Sequence, residues 1–239
     1  MSSLKHFLIL IAVAGAVSLP VTAQNSNTRN DEMSVEESYL QESVEMMIIR
    51  ETSRAEGRDQ KMVALEYIGD AIERGNKGEE VRQALDYLAM EGVMNKARLN
   101  GRLVNNYPDV RTKAATYLGD LGTPEAKNTL IKIVMADPEP MVLTEAVKSL
   151  AKIGINDNDE TVNAISWVAT RFDVLNPDNL LALSVVDAYA ILAEKGTLKD
   201  SSAVRTLIRI TEGNYITPVK EKAKAVLKDM RKAGITAGQ

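Results

Sequence analysis

The chain has 239 residues, with 29 Lys and Arg against 33 Asp and Glu, a formal net charge of −4, one histidine and no cysteine. Such a balance offers no global basic footprint for nucleic acid, and without thiols neither a disulfide nor a thiolate zinc site can form. Stability must come from a buried core, which a chain of this length is large enough to make.

Residues 1–23 have the layout of a secretory signal. Lys5 supplies a positive start, Phe7 to Leu19 is an almost unbroken apolar run, and Val21-Thr22-Ala23 offers the small residues of a cleavage site. The run is shorter than the roughly 20 residues that a membrane-spanning helix needs. An uncleaved anchor is the alternative; no Cys follows the site, so lipid attachment of the bacterial lipoprotein kind is excluded. The expectation is a soluble mature protein beginning at Gln24, periplasmic or secreted. Cleavage takes His6, the only histidine, and leaves 216 residues (239 less 23) with neither imidazole nor thiol. Ser-His-Asp and Cys-His catalysis then lack the base that accepts the nucleophile's proton. Losing Lys5 moves the net charge from −4 to −5.

Residues 24–32 are polar and Asn-rich and read as a flexible leader. An N-terminal capping helix is predicted over 33–56. Ser34-Val35-Glu36-Glu37 fits a capping box, and Val35, Tyr39, Leu40, Val44, Met47 and Ile48 recur at helical spacing. The ends differ in charge. Residues 31–51 hold seven acids against one Arg, whereas 217–239 hold six bases against Glu221 and Asp229. That asymmetry reads either as two solvated faces or as ends that attract each other.

Residues 57–234 repeat one device, followed by a short tail at 235–239. An Ala is followed four residues later by an aliphatic: Ala64/Ile68, Ala114/Leu118, Ala146/Leu150, Ala188/Leu192 and Ala223/Leu227. Four residues is about one helical turn, so the small side chain admits a neighbouring helix while the aliphatic fills the space beside it. Gly75, Gly122, Gly154 and Gly196 stand where a left-handed residue would end these helices. Pro108, Pro140 and Pro218 stand at or just before helix starts, where a missing N–H costs little. Second amphipathic segments follow at Glu79–Glu91, Pro124–Ala136, Glu160–Phe172 and Ser202–Glu212. The Ala anchors are 50, 32, 42 and 35 residues apart, and Met94 to Asn105 is expected to add a short helix in the longest interval. No stretch alternates with period two, so no strand is expected. The prediction is an all-α, α-α superhelix of four to five helical hairpins.

Pro108, Val110, Ala114, Leu118, Leu121 and Gly122 return 32 residues later as Pro140, Val142, Ala146, Leu150, Ile153 and Gly154. With Asp109, Arg111, Asp120 and the following Thr123-Pro124-Glu125-Ala126, this phrase resembles a HEAT repeat, specifically the subtype of phycobilisome-lyase-like HEAT proteins. The second copy departs from it, with Met141 and Leu143 in place of the Asp and Arg. The resemblance implies a solenoid and a binding role, and it carries no catalytic residue, metal or cofactor.

In such a stack the second helices are expected to line the concave surface that binds partners. Helical projection turns Asn163, Trp167 and Thr170 away from the core, with Arg171 at the flank. The same projection exposes Gln83, Tyr87 and Met90; Asn128, Lys132 and Met135; and Arg205, Arg209 and Glu212. Tyr87, Lys132, Asn163, Trp167, Arg171, Arg205 and Arg209 are therefore the candidate partner-binding residues, an aromatic anchor among cations. The competing reading packs Trp167 against an adjacent repeat.

Asn156 to Glu160 is oxygen-rich, but Val162 stands where a calcium loop counted from Asp157 needs Gly, so an interhelical loop with a capping Asp or Asn is expected. Gly119 to Gly122 lacks the Lys-Ser/Thr ending of a phosphate loop. The Lys220–Lys232 run reads as the basic face of a terminal helix, with a membrane-surface or acidic-partner role as the alternative. Three functions are consistent with these features. The first is an exported non-enzymatic scaffold binding a protein or peptide in the cell envelope. The others are a groove-based enzyme or small-ligand protein using carboxylate, Ser or Lys chemistry, and a subunit that self-associates in a salt-sensitive way.

Overall fold

The computed structural model describes residues 34–175 and 177–236. The signal sequence and flexible leader expected at 1–32 lie outside them, as do the last residues of the tail. Ten α-helices occupy the described residues: α1 (Val35–Arg54), α2 (Arg58–Glu73), α3 (Glu79–Ala89), α4 (Pro108–Leu121), α5 (Pro124–Ala136), α6 (Pro140–Ile153), α7 (Glu160–Leu175), α8 (Asn179–Glu194), α9 (Ser202–Glu212) and α10 (Thr217–Lys232). They form two layers. In the first, α2, α4, α6, α8 and α10 each touch the next; in the second, α1, α3, α5, α7 and α9 do. The molecule is an all-α helical-repeat solenoid: four hairpins flanked by α1 at one end and α10 at the other.

The local signals act as their chemistry requires. Gly75, Gly122, Gly154 and Gly196 all have positive φ, between 68° and 89°, which lets the chain leave each first-layer helix without a Cβ clash. Pro108, Pro124 and Pro140 are each the first residue of a helix, where no intrahelical N–H is missed. Between the layers runs one continuous core, to which Ala64, Ala114, Ala146, Ala188 and Ala223 contribute with their paired aliphatics, all 7% exposed or less.

Small residues set the spacing within the first layer. A Cβ on Gly119 of α4 would lie 2.7 Å from Oγ and 2.8 Å from Cβ of Ser149 on α6, far inside contact distance. Gly119→Val should therefore force the two helices apart and lower stability by about 1–3 kcal/mol, read as a fall in the urea midpoint. An unchanged midpoint would mean that the α4–α6 seam is loose.

Two expectations fail between α3 and α4. No helix forms in residues 94–105, and strands do occur: β1 (Arg98–Leu99) pairs antiparallel with β2 (Arg102–Leu103). The turn is Asn100-Gly101, with φ of 50° and 80°, and two successive positive φ values make a tight hairpin turn that Asn-Gly favours. Strands of two residues are too short to show alternation, so the turn dipeptide was the only signal available.

Buried polar groups attach this hairpin to the stack. The Asn105 side chain accepts a hydrogen bond from Ala97 N (2.8 Å) and donates to Asn95 O (2.6 Å) and to Glu91 Oε1 (2.8 Å). Arg111 of α4, wholly buried, donates to Asp137 Oδ2 (2.6 Å), to Glu91 O (3.0 Å) and to Asn106 Oδ1 (2.9 Å). Lys61 of α2 donates to Ser53 O (3.1 Å) and lies 3.3 Å from Glu91 Oε2. That oxygen makes no hydrogen bond among the described residues, so the Lys61–Glu91 attraction is Coulombic.

Candidate partner-binding face

α7 carries the central candidate. Val162, Ile165 and Val168 are fully buried and Ala169 is 8% exposed, so the residues between them must turn outward. Asn163 and Thr170 are exposed, and Trp167 is 39% exposed. Trp167 therefore lies outside the buried core. The Arg171 guanidinium sits 5.4 Å from the centres of both the Trp167 and Phe172 rings, within the range of a cation–π contact. Arg171 is half-buried and its Nη1 reaches Asp137 O at 3.5 Å, which limits the motion of its head group.

Behind Trp167 the helix is anchored by polar contacts. The Ser166 hydroxyl lies 2.7 Å from the Tyr189 hydroxyl of α8 and donates to Ser202 Oγ of α9 at 3.2 Å. Complete burial pushes the Tyr189 phenol well above its usual pKa and keeps it neutral. The Trp167 side of α7 thus has a fixed orientation relative to α8 and α9.

The neighbouring helices of the layer extend the surface. On α5, Asn128, Lys132 and Met135 are exposed; on α9, Arg205, Arg209 and Glu212 are exposed. Arg205 donates to Ser201 Oγ at 2.7 Å, one turn back along its own helix. α5 touches α7 and α7 touches α9, so Lys132, Asn163, Trp167, Arg171, Arg205 and Arg209 lie on three successive helices of one layer.

Tyr87 and Met90 behave differently. Met90 is only 8% exposed and belongs to the core, because the chain turns inward there toward the hairpin rather than continuing α3. Tyr87 is half-buried, since α1 packs on α3 and covers that end of the layer. It lines a cleft of about 330 Å³ between α1 and α3 with Arg50, Arg54 and Gln83, and the Lys61 ammonium is 5.2 Å from its ring centre. The structure brings six of the seven candidates onto three adjacent helices and sets Tyr87 apart.

The remaining motifs have structural roles. Asp157–Asp159 forms a 3-10 turn, and Asn156 Oδ1 accepts from Val162 N at 3.1 Å, the capping bond expected of this loop. Among the described residues no group of three or more His, Cys, Asp or Glu is arranged to hold a metal ion. No helix among them is long and apolar enough to cross a membrane. α10 turns Ala223, Val226, Leu227 and Met230 inward and exposes Lys222, Lys224, Lys228, Arg231 and Lys232.

Two layers of stacked antiparallel helices with an open second-layer face define a helical-repeat protein. Residues 97–172 match the family model described as HEAT repeats, a segment that runs from the hairpin through α4, α5 and α6 into α7 and includes Arg111, Lys132, Trp167 and Arg171. HEAT repeats commonly serve as protein-interaction scaffolds. No curated protein matches the chain.

Proposed function

We propose that this protein is an exported, non-enzymatic scaffold that binds a protein or peptide through the α5–α7–α9 face, in the assembly or maintenance of a cell-envelope structure. The carrying observation is Trp167: a large apolar ring left 39% exposed, with Arg171 5.4 Å from its centre, on a helix whose layer neighbours expose Lys132, Arg205 and Arg209. Exposed Trp and Arg on a rigid face are the residue types that dominate binding energy at protein interfaces. The surplus of cations suits a partner with an acidic and partly apolar surface.

Export is supported by Lys5, the Phe7 to Leu19 run and Val21-Thr22-Ala23. The phycobilisome-lyase-like subtype is supported by the phrase from Asp109 to Ala126. The absence of His and Cys after residue 23 favours binding over nucleophilic catalysis.

Crosslinking in the native organism, applied to protein whose N terminus is Gln24, tests both parts of this reading. Trp167→Ala should lower partner recovery about tenfold or more while moving the melting temperature little, because the ring is not core. Undiminished recovery, or a large loss of stability, counts against the Trp167 face.

A further inference from the structure

The apolar stripe of α1 does not face the core. α1 docks on α2 and α3 through Met46, Ile49 and Ser53, the last two only 2% exposed. The opposite side carries Leu40 (63% exposed), Val44 (50%) and Met47 (57%). Glu36 and Glu51, both exposed, extend the same row at its two ends, at positions 36, 40, 44, 47 and 51. Steps of three or four residues keep one side chain above the next, so this is a continuous apolar stripe closed by acids.

The other end of the molecule carries the complement. α9 and α10 flank an open groove of about 720 Å³, lined by half-buried Ile208 and the edge of buried Leu227, in which Lys224, Lys228, Arg231 and Lys232 provide cations. Glu212 also lines it. Lys224 and Lys232 are held by Glu221 and Asp229, each at 2.8 Å, whereas Lys228 and Arg231 take part in no ion pair among the described residues. The position of the two features in the stack also matters. α1 is the first helix of the second layer and α9 the last, so placing α1 of one molecule beside α9 of another continues that layer across the junction.

We propose that the chain associates head to tail with copies of itself, the α1 stripe of one molecule occupying the α9–α10 groove of the next. Apolar surface on α1 meets Ile208 at the groove, while Glu36 and Glu51 meet the free cations Lys228 and Arg231. The contact is heterologous, so a joined pair keeps one unused head and one unused tail, and a row grows until it closes or runs out of protein. Exposed charge pairs of this kind are weakened by salt. None of the residues invoked is among the six on the Trp167 face, so partner binding stands or falls separately.

Light scattering on the full protein as its host processes it gives the test, with two variants. Leu40→Asp/Val44→Asp removes the head and Lys228→Glu/Arg231→Glu removes the tail; all four side chains are exposed, so the fold should survive. The unaltered protein should associate at about 0.05 M salt and dissociate toward about 1 M salt. Each variant alone should associate about thirtyfold more weakly. An equal mixture of the two should give a one-to-one dimer and nothing larger, because one intact head and one intact tail remain. A parent protein that stays monomeric at low salt overturns the proposal. So does association that persists in both variants, or a mixture that stays monomeric.

Discussion

Arg111→Ala should lower the stability of the fold by about 3–5 kcal/mol, the range expected when one member of a buried ion pair is removed. Arg111 is 0% and Asp137 1% exposed, and Arg111 Nε donates to Asp137 Oδ2 at 2.6 Å while Nη2 donates to Oδ1 at 3.3 Å. Alanine would leave the carboxylate in the core with one remaining donor, Glu139 N at 2.9 Å. It would also strip the donor from Glu91 O and from Asn106 Oδ1. The cost comes from the uncompensated buried charge rather than from the lost attraction, so a paired replacement, Arg111→Met with Asp137→Leu, should recover much of it. Urea unfolding measures both proteins. A single-variant loss under about 1 kcal/mol would show that water reaches Asp137 and that the pair is not sealed.

Lys61→Met is the second large effect, again about 3–5 kcal/mol, because it leaves the Glu91 carboxylate, 3% exposed, without its ion-pair partner. Glu91 Oε1 receives the Asn105 amide, so the loss should spread into the hairpin. Amide exchange at residues 95–105 is then expected to quicken more than exchange in α6 or α8. Adding Glu91→Gln removes the charge while keeping a side-chain oxygen for Asn105, and it should restore part of the lost stability. If the double variant is no more stable than Lys61→Met alone, the cost lies in packing of the Lys61 stem and the ionic account is wrong.

Both pairs leave a trace in the sequence. Lys61 heads the row Lys61, Leu65, Ile68, Ile72, and Arg111 heads Arg111, Ala115, Leu118; every other member of those rows is core. A charge at the head of an apolar helical row implies a buried partner, since an isolated ion cannot be left there. The partners themselves were not legible. Glu91 and Asp137 follow the ends of α3 and α5, 30 and 26 residues away in the chain, and helical period carries no information across such gaps.

The face assignments show the same division. For α5, α7 and α9, period alone separates inward from outward residues, because each has a single apolar side. It fails for α1, which has apolar residues on two sides. Glu42, Glu45 and Arg50 on the docked side meet Asn76, Arg74 and Glu80, and these contacts decide which side turns inward. Tyr87 shifts for a related reason: its outward direction on α3 was readable, but the helix that covers it was not.

From the sequence alone come the repeat, the ten-helix framework apart from the hairpin, the bounds of α5 and α9, the left-handed glycines and the outward turn of Trp167. All are local, resting on spacing within one helix or on the φ that a residue type permits. Tertiary structure alone decided the partners of Arg111 and Lys61, the side of α1 that stays open, and which candidates share a surface. Those depend on the order in which helices stack, and stacking selects among faces that the sequence leaves equally able to be buried.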